Sequence, residues 1–202
     1  MIRSGETIHN PVTGELITFH QTSADTNGEA VVIECTVQPD GFVAAAHVHP
    51  SQTERFAVID GRLGMKMGRK KMLLESGDVA LVEPGTPHKF WNAGKDEVRF
   101  VCEVRPALQF ESLLETMFTL AADGKTNRKG MPNPLRLAVI ANAHFDTVQL
   151  PFPPATLRKL YRDHDSYVAR FEEAARAAEK AGVLLPRDAE ALIEEARATP
   201  VP

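Results

Sequence analysis

The chain has 202 residues, 43% of them hydrophobic and 25% charged, and a formal net charge of −4. These are globular proportions, which exclude collagen, a disordered tail or a coiled-coil rod as the main content, and the acidic balance excludes a whole-protein basic footprint for nucleic acid. No apolar run approaches the roughly 20 residues of a membrane span, the start Met1–Glu6 lacks the apolar segment of a secretory signal, and two cysteines make no disulfide framework, so a reducing cytoplasm is the expected setting.

From residue 30 to 105 the pattern is that of strands. Segment 30–37 is short and β-branched, and segment 98–105 alternates with Val98, Phe100, Cys102 and Val104 on one side. Between them lie short apolar runs at 54–60, 62–67, 71–74, 78–82 and 87–91. Turn residues such as Asp60-Gly61, Ser76-Gly77-Asp78 and Pro84-Gly85 separate them. Strands at this spacing predict an all-β sandwich or barrel, with no room for the crossover helices of a βαβ fold. After Pro106 the period changes. Phe110, Leu113, Leu114, Met117, Phe118 and Ala121 predict an amphipathic helix ending near Asp123-Gly124, and 135–143 a second, shorter one. From Thr156 a stripe through Leu157, Leu160, Tyr161, His164, Tyr167, Val168 and Phe171 predicts a third helix, closed at Gly182, and 187–197 a last one. The expected organisation is therefore a β-barrel with N-terminal strands over 1–105. A helical extension over 106–202 then packs on the barrel or on a dimer partner.

The chemistry concentrates in two clusters. Gly41 is followed after five residues by His47, then His49, then Glu54, then Gly61. The second cluster runs from Gly77 through Glu83-Pro84-Gly85-Thr86-Pro87-His88 to Asn92. In a strand, residues two apart share a face, so His47 and His49 present both imidazoles together. The loop Pro50–Thr53 returns Glu54 to the same space, and the Pro-Gly-Thr-Pro turn sets the approach of His88. Three imidazoles and a carboxylate suit a divalent first-row metal and leave open positions on an octahedral ion.

These clusters resemble the paired motifs of the cupin superfamily, in its small single-barrel "cupin 2" form. Gly41, His47, His49, Glu54 and Gly61 match the first motif throughout. Gly77, Gly85, His88 and Asn92 match the second, with Glu83 where the family usually has proline. The resemblance covers about residues 28–105. It implies a mainly β fold, the cupin double-stranded β-helix or jelly-roll barrel, followed here by C-terminal α-helices. It further implies a commonly dimeric protein with one divalent metal in the barrel mouth, held by His47, His49, Glu54 and His88. It does not imply a reaction.

Strand phasing extends the site to a pocket of Val43, Ala45, Phe56, Met65, Met67, Phe90 and Asn92, a largely apolar cup. No inward Arg or Lys is available to clamp a sugar phosphate. The leading expectation is an iron-dependent, dioxygenase-like metalloenzyme acting on a small apolar or aromatic molecule, with zinc, nickel, manganese or copper as alternative metals. Its proton-transfer residues are unassigned. The alternatives are a non-catalytic ligand-binding or sensing cupin, and a metal-dependent isomerase or epimerase, which would need an inward His9 or His20. The partners expected are a small-molecule ligand and a second copy, with neither nucleic acid nor membrane. Cys35 and Cys102 are expected as small buried hydrophobes.

Overall fold

The computed structural model describes residues 2–151, 162–180 and 185–198. The first compact unit runs to Pro151. Nine strands form it: β1 (Thr7–Asn10), β2 (Glu15–Gln21), β3 (Val31–Val37), β4 (Thr53–Asp60), β5 (Arg62–Met67), β6 (Lys70–Glu75), β7 (Val79–Val82), β8 (His88–Asn92) and β9 (Val98–Arg105). They pair antiparallel in two sheets, in the orders β1-β2-β3-β9-β4-β7 and β6-β5-β8. This is the double-stranded β-helix. The strands form because their apolar residues recur every second position. In β9 Val98, Phe100, Cys102 and Val104 are buried and their neighbours are not. The inner faces of β2, β3, β4 and β9 meet those of β5 and β8 in one core, with Phe19, Phe56, Phe100, Leu63 and Met65 fully buried.

The β4–β5 turn shows why the first motif ends in glycine. Gly61 has φ +82°, and a Cβ there would stand 2.6 Å from the Glu97 carbonyl oxygen. The segment before β4 departs from the expected strand. Residues 42–49 make only isolated bridges, Phe42 to Trp91, His47 to His88 and Val48 to Gln149. Four residues between Phe42 and His47 face two between His88 and Trp91, so no continuous ladder can form.

Two helices complete the unit. Helix α1 (Phe110–Ala122) carries the predicted stripe, with Phe110 and Phe118 in the barrel core. It stops where Gly124, at φ +67°, donates its N–H to the Ala121 carbonyl. Helix α2 (Pro134–Ala143) begins with Pro134 in its first turn, and the Asn133 side chain accepts from the Arg136 N–H at 2.9 Å. The second unit, 152–202, contains α3 (His164–Lys180) and α4 (Pro186–Ala198). Ala175, Ala189 and Ile193 pack together between them, and Glu172 meets Arg197 at 3.4 Å. Leu157, Leu160, Tyr161 and Gly182, the ends of the predicted third helix, lie outside the described residues. Among the described residues no helix is long and apolar enough to cross a membrane.

Candidate metal centre

His47, His49, Glu54 and His88 converge. One ligand-competent atom from each lies within 4.8 Å of all the others, and all but the half-buried His47 are buried. Each arrives by a different route. Glu54 is an inward residue near the start of β4, and His88 opens β8. His47 is tied to His88 by reciprocal backbone hydrogen bonds of 3.0 and 2.9 Å, N–H to carbonyl in each direction. The Glu83–Thr86 turn reaches back to the other motif, the Gly85 N–H donating to the His49 carbonyl at 2.8 Å. Between His47 and His49 the chain is held by Gln149, which exchanges two 2.8 Å backbone hydrogen bonds with Val48.

The imidazoles are oriented by their far nitrogens. His47 Nδ1 faces the Ala45 carbonyl at 2.9 Å, and His88 Nδ1 faces the Thr86 carbonyl at 3.0 Å. His49 Nδ1 lies 2.5 Å from the Thr147 carbonyl and 2.9 Å from Gln52 Oε1. Gln52 is itself buried, and its Nε2 donates to the carbonyls of Pro106 and Ala107, so its oxygen must face His49. Carbonyl oxygens only accept, so each Nδ1 carries the hydrogen and each Nε2 presents its lone pair to the centre.

The centre itself is polar and unsatisfied. His49 Nε2, His88 Nε2 and Glu54 Oε2 are buried without a hydrogen bond of good geometry, although Glu54 Oε2 lies 2.6 Å from His88 Nε2 and 3.5 Å from His49 Nε2. Burial pushes the Glu54 carboxyl up, but the surrounding imidazoles outweigh it and hold the group at about 2. Burial likewise opposes a charge on His88, yet the Glu54 carboxylate raises its pKa above the ordinary value. Desolvation, with repulsion from His88 and His49, takes His47 down to about 3. Buried atoms left unpaired around one point, with lone pairs aimed inward, are what a divalent cation satisfies. The donor set of three nitrogens and one carboxylate fits such an ion.

The cluster opens on a cavity of about 160 Å³. Val43, Ala45, Phe56 and Phe90, all expected pocket residues, line it, and no Arg or Lys is among the lining residues. Three other expected pocket residues do not line it. Met65 and Met67 are on β5, the central strand of the three-stranded sheet. Met65 is fully buried and Met67 packs on the core. Asn92 is consumed by backbone, its Nδ2 donating to the Val37 and Asp96 carbonyls and its Oδ1 accepting from Gly94 N–H. Much of the wall comes from Leu113, Leu114 and Met117 in the predicted stripe of α1, and from Leu137, Ile140 and Ala141 of α2, for which the sequence predicted a helix and no pocket role. For the α1 residues the periodic stripe was the available signal. Gln52 and Thr147, which orient His49, carry no comparable signal. Cys35 and Cys102 are buried, as expected, and Cys102 Sγ donates weakly to Glu54 Oε1 at 3.9 Å. His9 and His20 are exposed, so neither supplies a base to the cavity.

Residues 33–104 match the family model described as a cupin domain. With the double-stranded β-helix and both motifs in place, residues 33–104 are a cupin domain. A second match, to an alpha/beta hydrolase domain, covers residues 138–194. The described residues of that stretch are helical or irregular apart from one bridge at Gln149, and the stretch has no Gly-x-Ser-x-Gly motif. A curated relative, the uncharacterized protein MJ1618 of Methanocaldococcus jannaschii, is 28% identical over 75 residues, 37% of this chain and 60% of that protein. The chain thus spans less than two thirds of that relative's length. Two solved structures are similar to about half of the chain. An uncharacterized conserved protein with a double-stranded beta-helix domain from Klebsiella pneumoniae is 24% identical, covering 53% of this chain and 90% of that one at a TM-score of 0.44. A predicted oxalate decarboxylase from Thermotoga maritima is 19% identical, covering 52% and 98% at 0.46.

Proposed function

We propose that this cupin is a metal-dependent enzyme, of iron dioxygenase type, that acts on a small and largely apolar or aromatic molecule. His47, His49, Glu54 and His88 are its metal ligands. The observation that carries the reading is the junction of two features: the inward lone pairs of the cluster and an apolar cavity of about 160 Å³. Apart from the ligand cluster and a few polar groups its wall is apolar, which suits a small, largely apolar molecule. A divalent ion held there supplies Lewis acidity, and iron adds redox chemistry with dioxygen.

The chain's own residues do the rest. Phe56 and Phe90 of the barrel, with Leu114 and Met117 of α1, exclude water from the bound molecule. Gln52 and the Thr147 carbonyl hold the His49 ring in its ligating tautomer. The extension after Pro106 serves the barrel, since its part through Leu150 lines the cavity. The protein works as a homodimer in the cytoplasm, and the exposed Val79 and Leu81 on edge strand β7 are a face for the second copy.

The test is elemental analysis of untagged protein purified without chelator, beside His47→Ala. Near-stoichiometric iron, lost in the variant and accompanied by oxygen consumption with aromatic substrates, is the expected result. Zinc, nickel or manganese in its place overturns the dioxygenase assignment. Failure to take up any divalent metal after reconstitution overturns the metal site. Tight binding of a small molecule without turnover in aerobic assays favours the sensing alternative.

A further inference from the structure

The cavity that holds the metal cluster has a second polar spot, built from the β1–β2 hairpin. Strand β2 sends Glu15, Ile17 and Phe19 inward, so a carboxyl occupies a position where its strand neighbours are core hydrophobes. Glu15 is only 5% exposed and lines the cavity. Its Oε2 accepts from the Thr13 hydroxyl at 2.6 Å; its other oxygen has no hydrogen bond among the described residues. Directly across the hairpin stands Asn10, 3% exposed and also on the cavity wall. Its Oδ1 accepts from the Val12 and Thr13 N–H groups in a turn, which leaves the two Nδ2 hydrogens without a partner among the described residues. A donor and a carboxyl oxygen on paired strands, both on the cavity wall and without protein partners among the described residues, are open to a polar group on a bound molecule.

This spot is distinct from the metal cluster. Glu15 pairs with Val37, which pairs with Val98, while Glu54 pairs with Val104 on the same strand. Those rows lie six residues apart along β9, roughly 20 Å of strand. Between them the cavity wall is apolar, with Ile17, Ile33, Phe56 and Phe100. Burial raises the Glu15 carboxyl to about 7, which reflects its removal from water.

We propose that Asn10 and Glu15 form a recognition subsite for a hydroxyl group carried by the apolar molecule in the cavity. The Asn10 amide donates to the hydroxyl oxygen, and Glu15 accepts the hydroxyl hydrogen. One hydroxyl satisfies both groups, because it accepts and donates at once. The substrate class is therefore an aromatic or aliphatic body bearing a neutral hydroxyl away from its metal-facing end. The inference rests on the reading of this cavity as the substrate pocket.

The test compares phenol with toluene, two probes of nearly equal shape, by calorimetric titration of the full chain. Glu15→Leu is expected to weaken phenol about tenfold without weakening toluene, the effect of losing a hydrogen-bonded partner from a buried site. Glu15→Gln, which still offers an oxygen acceptor, is expected to keep phenol affinity within a few-fold. Should Glu15→Leu not fold, Asn10→Asp retains the turn acceptor and removes the amide donor, and it too should weaken phenol selectively. Unchanged phenol affinity in these variants, or equal losses for both probes, overturns the subsite alone. If neither probe binds the wild type, both the subsite and the substrate-pocket reading are overturned, whatever metal the cluster holds.

Discussion

Replacing Glu15 by glutamine should change how stability depends on pH. In the fold, burial moves the Glu15 carboxyl from an ordinary 4.5 to about 7, with the Thr13 hydroxyl opposing the rise only in part. Below pH 4.5 the acid is protonated in both folded and unfolded chains and contributes no slope. Between 4.5 and 7 the folded state keeps a proton that the unfolded state has released, so stability falls as pH rises. At about 1.4 kcal/mol for each pH unit, the gap costs about 3 kcal/mol by the time both states have ionised. Glu15→Gln has no proton to lose, and its amide oxygen can still accept from Thr13. The nearby Cys35 thiol is pushed further up by burial and by Glu15, so it stays neutral throughout this window. The raised pKa of His88 adds a loss of stability as pH rises through it, but that loss is common to both proteins and cancels in the difference. The assay is urea unfolding of wild type and Glu15→Gln at pH 4.5 and at steps to beyond 7. The unfolding free energy of wild type should decline relative to the variant by about 3 kcal/mol over this range. A difference that stays constant with pH would refute the burial of an ionisable carboxyl in the barrel.

Four further outcomes are expected. Gln52→Leu removes an acceptor that fixes the His49 ring, and titration with a divalent metal should show affinity reduced about 10–100-fold while the fold is kept. Metal binding must displace the proton that Glu54 stabilises on His88, so affinity should fall about tenfold per unit as pH drops through the His88 pKa; a pH-independent affinity contradicts this. Gly64→Ala would set a Cβ 2.3 Å from the Trp91 ring, and denaturant unfolding should register a loss of about 1–3 kcal/mol. Light scattering should report a dimer, and Leu81→Lys, which charges an exposed edge-strand residue, should shift it toward monomer; an unchanged dimer places the interface elsewhere.

The chain's own pattern was enough for an all-β sandwich or barrel with helices after it and for the residues of the cluster, while the double-stranded β-helix followed from the resemblance to cupins. Period-two alternation in 30–37 and 98–105 marks strands because a sheet buries one face, and the stripe from Phe110 to Ala121 marks α1 because a helix turns every 3.6 residues. His47, His49, Glu54 and His88 were legible because short-range spacing with turn residues constrains where their side chains go. What escaped depended on contacts between distant segments. Residues 42–49 read as a strand, yet their partner β8 is two residues too short between the bridges, a mismatch invisible until both are paired. Met65 has the right phase for the pocket, but on β5, the central strand of its sheet, it is fully buried in the core, and strand order is not written in the alternation of one strand. Asn92 was in phase too, but its amide is taken by the Val37 carbonyl 55 residues away. Only the tertiary structure could bring the Thr147 carbonyl onto His49 across 98 residues, lay α1 and α2 along the cavity and set Glu15 beside Asn10 inside it. Local periodicity decides which face of an element is apolar; long-range packing decides what that face meets, and with it the charge state and orientation of every buried polar group.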